Sequence, residues 1–242
     1  MIVMDLEWNR SYDKKRLDEI LQIGAVRVER PGGRVADTFC AFVRPCVHKR
    51  FDPGARKLPD LQESLNTDTT FVEAWDAFVR WCGDDRTFAF WGPDDFGVMR
   101  QNCAYWGTPC IEPERVYNFQ RAFAHAYGAG SAMMALWRVV DYLGIPDIFD
   151  FHNALYDALY TALVGEWLRT EDLDYAPPKR AKRQPPRRKR KTPASAGATD
   201  GAQTPQAVSG SGEPDKKRRR RRRRRRRLPK PDITQTNNTA SV

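Results

Sequence analysis

The chain has 242 residues, and its formal net charge of +10 is distributed very unevenly. Residues 1–176 hold 19 Lys and Arg against 27 Asp and Glu, a net charge of −8, whereas residues 177–242 hold 22 against 4, a net charge of +18. The basic pI therefore describes the C-terminal segment, and the acidic remainder is long enough to bury the core of one ordinary domain.

Cysteine content and hydropathy exclude several classes of protein. The five cysteines include no Cys-x-x-Cys pair, which argues against a disulfide framework and against a structural zinc site. They predict reduced thiols in a cytoplasmic protein. No apolar run approaches the roughly 20 residues that cross a bilayer, and the N-terminus lacks the pattern of a signal peptide. We therefore expect a cytoplasmic protein without a transmembrane segment.

The first third of the chain predicts three strands. Residues 2–8 form a short apolar run with charge towards its end, residues 20–28 form a second apolar run, and residues 35–43 alternate between apolar and polar. The Pro-Gly-Gly sequence at 31–33 is typical of a hairpin turn. Strands joined by short turns favour an antiparallel start to the sheet.

Helices then alternate with two more strands, which are predicted at 87–91 and 115–118. The helices are expected at 71–82 (capped by Thr69 or Thr70 and ended by Gly83), at about 95–106, after 118, at 131–143 (capped by Ser131) and at about 153–169. This alternation indicates the α/β class, with an antiparallel element contributed by the first strands.

The composition changes after residue 175. Proline pairs and runs of small polar residues leave almost no large apolar side chains, so residues 176–242 are predicted to be a disordered tail. Basic blocks at 179–191 and 216–227 predict binding to polyanions through counterion release. A solvated extension without a partner and an anionic membrane surface are the alternatives. The candidate nucleic-acid-binding residues of the tail are Arg218, Arg219, Arg220 and Arg221.

Asp5 and Glu7 lie near the end of the first predicted strand. Residues two apart on a strand point to the same face, so both carboxylates leave the sheet together. In open α/β sheets, ligands bind outside the carboxyl ends of the strands. Neighbouring carboxylates repel each other unless a cation joins them, and hard oxygen ligands favour Mg²⁺ or Mn²⁺. An acidic strand end without a ligand is the alternative.

Asp157 and His152 strengthen the interpretation as a metal site. Asp157 lies in an otherwise apolar, small-residue helix, where a carboxylate is costly unless it has a partner. His152 stands at the start of that helix, from which it can reach a neighbouring cleft. Asp95 follows the fourth strand and could point to the same cleft, whereas its neighbour Asp94 could cap the next helix.

These residues, taken in chain order, resemble the three motifs of the DEDDh-type 3′–5′ exonucleases. The motifs are Asp5-Leu6-Glu7, Asp95 and His152-x-x-x-x-Asp157. Longer strings are similar to the bacterial branch related to KapD and to the Eri1-type exonucleases, at residues 4–9, 19–26, 90–95 and 152–162. The resemblance covers about residues 1–170 and leaves out the basic tail.

The resemblance implies a ribonuclease H-like fold for residues 1–175, in which helices flank a five-stranded mixed sheet. The number of strands read from the hydrophobic pattern agrees with this fold. We therefore expect an exonuclease domain over residues 1–175 and a separate disordered tail over residues 176–242.

The resemblance also implies hydrolysis with two divalent ions, Mg²⁺ or Mn²⁺. Asp5, Glu7 and Asp157 are the implied metal ligands, with Asp95 acting through water. His152 is the implied general base, because an imidazole titrates near neutral pH. The expected reaction releases nucleoside 5′-monophosphates from the 3′ end of a single-stranded nucleic acid, which is RNA more readily than DNA.

Some assignments stay open at the level of sequence. Trp8 is expected either to stack on the terminal base of a nucleic acid or to pack in the core. Glu19 is either structural or close to the metals. The alternative function is a non-catalytic nucleic-acid-binding or regulatory adaptor that uses the same fold and the basic tail. The presence of all five site residues favours an enzyme, and the sequence indicates no particular protein partner.

Overall fold

Five strands form one mixed sheet in the computed structural model, which describes residues 1–11, 13, 16–128 and 133–173. The strands are β1 (Ile2–Asn9), β2 (Glu19–Val28), β3 (Val35–Phe42), β4 (Thr87–Phe90) and β5 (Arg115–Asn118). Their order is β3-β2-β1-β4-β5. β2 pairs antiparallel with both β1 and β3, whereas β4 pairs parallel with both β1 and β5. The five predicted strands and the antiparallel start are confirmed.

Seven helices cover the sheet in the described part of the chain. They are α1 (Leu61–Asn66), α2 (Phe71–Cys82), α3 (Asp94–Trp106), α4 (Phe119–Ala126), α5 (Leu136–Leu143), α6 (Ala154–Val164) and α7 (Thr170–Leu173). Single 3₁₀ turns occur at Ala55–Lys57 and Gly165–Trp167. The cap of α2 is Thr70, which forms a reciprocal capping box with Glu73. Gly83 ends that helix with a φ of 58°, as its sequence position predicts.

The side chains of β1 alternate between two hydrophobic layers. Ile2, Met4 and Leu6 pack with α2 and α3 on one face of the sheet. Val3 packs on the other face, with residues of α4, α5 and α6. The central strand is thus covered by helices on both sides, which confirms the ribonuclease H-like fold expected from the sequence.

β2 carries a bulge opposite the end of β1. Glu7 is paired with Gln22, but the next residue, Trp8, is paired with Ile20, so Leu21 is an extra residue in β2. The Leu21 carbonyl accepts hydrogen bonds from the Ser64 hydroxyl at 2.9 Å and from the Val43 amide at 2.8 Å. The bulge therefore anchors α1. The sequence does not predict this helix, because its six residues show no helical periodicity of apolar side chains.

Two predicted helix boundaries are wrong. α5 begins at Leu136 with Ala135 as its cap, and residues 133–135 are not helical. The Met134 carbonyl accepts hydrogen bonds from the side chains of Trp91 at 3.2 Å and Gln120 at 2.8 Å, which holds this segment outside the helix. The last long helix ends at Val164 rather than near residue 169, because a 3₁₀ turn follows it.

The predicted tail, residues 176–242, lies outside the described residues, as do its four candidate arginines and Ser131. Within the described ranges, no helix has both the length and the apolar character that a bilayer crossing requires.

Candidate active site

Asp5 and Glu7 lie on β1, on the face of the sheet that α6 covers. They alternate with the buried residues Met4 and Leu6 and share the parity of Val3, which packs on the α6 side. Both carboxyls therefore point towards the start of α6, as the spacing in the sequence predicts. Glu7 is mostly buried, with 14% of its side chain exposed.

Asp95 reaches this strand from the first turn of α3. β1 pairs in parallel with β4 at Ile2 and Val3, and the pairing ends before Asp5. Beyond it, the Leu6 amide donates a hydrogen bond to Asp95 Oδ1 at 3.3 Å. Asp95 is buried, whereas Asp94 is exposed and pairs with Arg10 at 3.9 Å. The N-cap of α3 is Pro93, so the structure does not give Asp94 the capping role. Of the two residues, Asp95 is the one that lies against β1.

The start of α6 is held against β2 by contacts of its backbone. A Cβ atom on Gly24 would lie 2.1 Å from the carbonyl carbon of Ala154, so only glycine allows this approach. The Ala154 amide donates a hydrogen bond to Gln22 Oε1 at 3.0 Å. Asn153 caps the helix by accepting from the Tyr156 amide at 3.1 Å and donates to the Asp60 carboxylate. These contacts fix where Asp157 and His152 lie relative to β1.

Asp157 and His152 face Glu7 from α6 and from the turn that precedes it. The His152 amide donates to Asp157 Oδ2 at 3.2 Å, in a turn where His152 has a φ of 67°. This left-handed conformation is uncommon for residues other than glycine, although histidine adopts it more readily than most. The imidazole Nδ1 lies 3.8 Å from Glu7 Oε1, and the imidazole is exposed, with 71% of the side chain accessible.

The four carboxyl groups interact strongly enough to perturb one another. Burial and the negative charges of the other three carboxyls raise the pKa of Asp5 well above its usual range. Burial, followed by the charges of Asp157 and Asp95, raises the pKa of Glu7 to about 8. Burial raises the pKa of Asp157 to about 7 and that of Asp95 to about 6, in each case against backbone hydrogen bonds that lower it. Such a cluster is unfavourable as a set of anions unless a cation neutralises it.

The same residues fit a divalent metal ion. Glu7, His152 and Asp157 each offer a ligand atom, and these atoms lie within 4.8 Å of one another. Asp157 Oδ1 is buried and has no hydrogen-bond partner among the described residues, so this oxygen is available as a ligand. The carboxylate oxygens of this set suit hard divalent ions such as Mg²⁺ and Mn²⁺.

Two other residues considered in the sequence have different environments. Trp8 is partly buried: it packs against the α2–α3 side of the core and also lines a cavity of about 280 Å³ together with Glu7 and His152. Glu19 is buried and accepts from the amides of residues 46–48 at 2.6, 2.6 and 3.1 Å. These three hydrogen bonds hold the segment in place and favour the structural role for Glu19.

Sequence reasoning missed the residues that position α6. Gln22 and Gly24 lie in the mostly apolar stretch 20–26 of β2, and Asn153 directly precedes a helix. A polar residue and a glycine inside a buried strand are signals of a close approach by another backbone, and an asparagine before a helix is a signal of a cap. Their function could have been predicted from those signals, but their partners could not.

Comparison with known proteins identifies a family. A family model described as Exonuclease (RNase_T) matches residues 2–164. A comparison with curated proteins gave no match.

Several solved structures share the fold. The nuclease domain of 3′hExo, a DEDDh family member bound to rAMP, is 16% identical with a TM-score of 0.60, over 69% of this chain and 89% of that one. Cell-death related nuclease 4 (CRN-4) is 17% identical with a TM-score of 0.58, over 69% and 62%. S. pombe Pop2p in its Mg²⁺- and Mn²⁺-bound form is 16% identical with a TM-score of 0.52, over 69% and 81%. The chain thus spans less than two thirds of CRN-4, and at these identities the likeness shows the fold alone.

Proposed function

Since the chain belongs to the RNase_T exonuclease family, we propose that it is a metal-dependent 3′–5′ exonuclease that hydrolyses single-stranded nucleic acid, RNA in preference to DNA. The observation that carries the proposal is the convergence of four acidic side chains and one histidine from distant parts of the chain at one end of β1. The products are nucleoside 5′-monophosphates.

Asp5, Glu7 and Asp157 are proposed to hold two divalent ions, Mg²⁺ or Mn²⁺, with Asp95 contributing through water. The raised pKa values of these carboxyls and the unpartnered Asp157 Oδ1 support a cation site. The Mg²⁺ and Mn²⁺ bound to Pop2p, which has the same fold, support the choice of ions. Bound there, divalent ions would supply Lewis acidity, which lowers the pKa of the attacking water and stabilises the leaving 3′ oxygen.

The protein's own residues position the reacting groups. Asp95 is tied to β1 by the Leu6 amide, so its carboxylate keeps a fixed place in the cluster. His152 is exposed beside the cluster, where its imidazole can accept a proton from water as a general base. Trp8 lines the adjoining cavity, and we propose that it offers an edge or face to the terminal base. The rAMP bound to 3′hExo supports RNA as the substrate class.

The proposal is tested with 5′-labelled single-stranded RNA and DNA of one sequence, incubated with Mg²⁺ or Mn²⁺ and with or without chelator. The expected result is a ladder that shortens from the 3′ end, forms faster on RNA, and disappears with chelator and in Asp5→Ala. Shortening from the 5′ end, or a ladder that survives Asp5→Ala, would contradict the assignment. Protein that binds the strand without cutting it under any of these conditions would indicate an adaptor.

We also propose that residues 1–175 are the catalytic unit and that residues 176–242 tether it to polyanions in the cytoplasm. The support is the charge contrast of −8 against +18 between the two parts of the sequence, divided at residue 176. Deletion of 177–242 is expected to leave the ladder intact and to weaken nucleic-acid binding with a shallower salt dependence. Unchanged affinity and salt dependence would rule out the tether.

A further inference from the structure

A basic cleft lies beside the cluster of four carboxyl groups, within the part of the chain that is acidic overall. Its volume is about 740 Å³, in the range of ligand-binding clefts. It is lined by residues 10, 11, 13 and 16, which follow β1, and by residues 48–53 and 56, which follow β3. Counting Lys57 of the adjoining cavity, six basic residues line this region: Arg10, Arg16, Lys49, Arg50, Arg56 and Lys57.

The acidic residues of the cleft are already engaged. Asp52 accepts from the Arg10 amide at 2.8 Å with one carboxylate oxygen and from the Gly54 amide at 2.7 Å with the other. Asp13 pairs with Arg16 at 3.8 Å. By contrast, Lys49, Arg50 and Arg56 are exposed, and none has an acidic partner within 4.0 Å in the described ranges. The described side chains that line the cleft therefore carry a net positive charge, with five basic residues against two acidic ones.

The cleft is continuous with the catalytic end of β1. Arg10 and Asp52 line both this cleft and the smaller cavity of about 280 Å³ that reaches Glu7 and His152. Arg10 follows Glu7 by three residues, which corresponds to about 10 Å along a strand. A nucleic-acid strand whose terminal nucleotide lies at the cluster of four carboxyl groups can therefore continue into the cleft.

The wall of the cleft is fixed to β1 rather than loosely attached. The buried side chain of Asn9 donates to the Arg50 carbonyl at 3.0 Å and accepts from the Asp52 amide at 2.8 Å. Residues 46–48, at the start of the same segment, are held by Glu19. The basic side chains thus project from a segment whose backbone has a defined position relative to Glu7.

We propose that this basic cleft binds the phosphodiester backbone of the substrate strand upstream of the nucleotide being removed. The inference rests on the proposed exonuclease function. It adds a second contact surface, on residues 1–175, to the one predicted for the tail. Unpaired lysines and arginines neutralise phosphates without reading sequence. The cleft should therefore favour longer strands, whatever their bases.

The test measures kcat/KM for an octanucleotide and for a dinucleotide, using the full chain. The ratio of the two kcat/KM values measures the contribution of the upstream nucleotides. Because the tail is the same in every variant, its contribution to this ratio does not differ between them. The test variant carries Lys49→Gln, Arg50→Gln and Arg56→Gln. The control carries Arg30→Gln, Arg34→Gln and Arg80→Gln, which remove three exposed charges at the opposite end of the sheet.

The ratio is expected to fall by about tenfold or more in the test variant and to stay at the wild-type value in the control. The salt dependence of kcat/KM for the octanucleotide should also become shallower, by a slope of about 2, because each lost phosphate contact accounts for about 0.7 on a single strand. A wild-type ratio in a test variant that melts at the wild-type temperature would overturn the inference. Failure of the wild-type chain to cut either substrate would instead overturn the proposed function.

Discussion

Asp157→Asn should stabilise the metal-free protein while abolishing its activity. Burial raises the pKa of Asp157 from 3.8 to about 7, so the folded state holds this proton more tightly than the unfolded chain does. The metal-free protein therefore loses stability as the pH rises from about 4 to about 7, and the loss is complete above that window. Because one pKa unit corresponds to about 1.4 kcal/mol, the full cost is on the order of 4 kcal/mol.

The expected gain at pH 8 is somewhat smaller than that cost. The neighbouring carboxyls share the repulsion, so removing one charge relieves only part of it, and we expect a gain of about 2–4 kcal/mol. For a domain of this size the melting temperature should rise by roughly 5–10 °C. At pH 5 most of the Asp157 carboxyl is already protonated in the folded state, so the gain should shrink to roughly a third.

The assay is thermal unfolding in chelator at pH 5 and pH 8, repeated at pH 8 with Mn²⁺. Mn²⁺ should stabilise the wild-type protein by mass action and have much less effect on Asp157→Asn. The matched control is Asp76→Asn, which removes an exposed carboxylate from α2 and should alter neither the pH dependence nor the response to metal. A melting temperature for Asp157→Asn below that of the wild type at pH 8 in chelator would refute the reasoning, since it would mean that the charged carboxylate is stabilised without metal.

Three further predictions concern the residues around the site. Gly24→Ala should lower the free energy of unfolding by about 3 kcal/mol or more, because the new Cβ meets the Ala154 backbone at 2.1 Å and no side-chain rotation relieves that clash. Urea denaturation measures this loss. The control is Gly97→Ala, where a Cβ has open space, and it should not destabilise the protein. Glu19→Gln should lower the free energy of unfolding by about 1–3 kcal/mol, because it weakens three charge-assisted hydrogen bonds. The affinity for Mn²⁺, measured by calorimetry, should not change. A drop in that affinity would place Glu19 near the metals. His152→Asn keeps a residue that tolerates positive φ, so the fold should remain stable while the rate falls by about 10²–10⁴; a near-wild-type rate would remove His152 from the role of general base.

The strands could be predicted because most of them carry an apolar or alternating run that is bounded by charge or by turn residues. The same reasoning located Asp5 and Glu7 on one face, since alternation along a strand is a local property. The bulge could not be predicted: almost every residue of β2 is buried, so its sequence shows no alternation from which a change of phase is visible.

Contacts between distant segments were the main limit. The choice between Asp94 and Asp95 depends on the Leu6 amide, 89 residues away from Asp95, and no local pattern contains that partner. The start of α5 was placed too early because Met134 fits the helical period, although its carbonyl is bound by side chains from β4's end and from α4. Tertiary hydrogen bonds here override local propensity.

The bulge at Leu21 makes the length of β2 a constraint on the geometry of the candidate site. On one side of it, Glu7 is opposite Gln22; on the other side, Trp8 is opposite Ile20, one step out of phase. Loss of a single residue from β2 would merge the two phases and exchange inward-facing and outward-facing side chains along one part of the strand. A substitution in this hairpin alters one side chain at a time, but a one-residue deletion would change the face on which Glu19, which holds residues 46–48, lies relative to Gln22, which holds the start of α6.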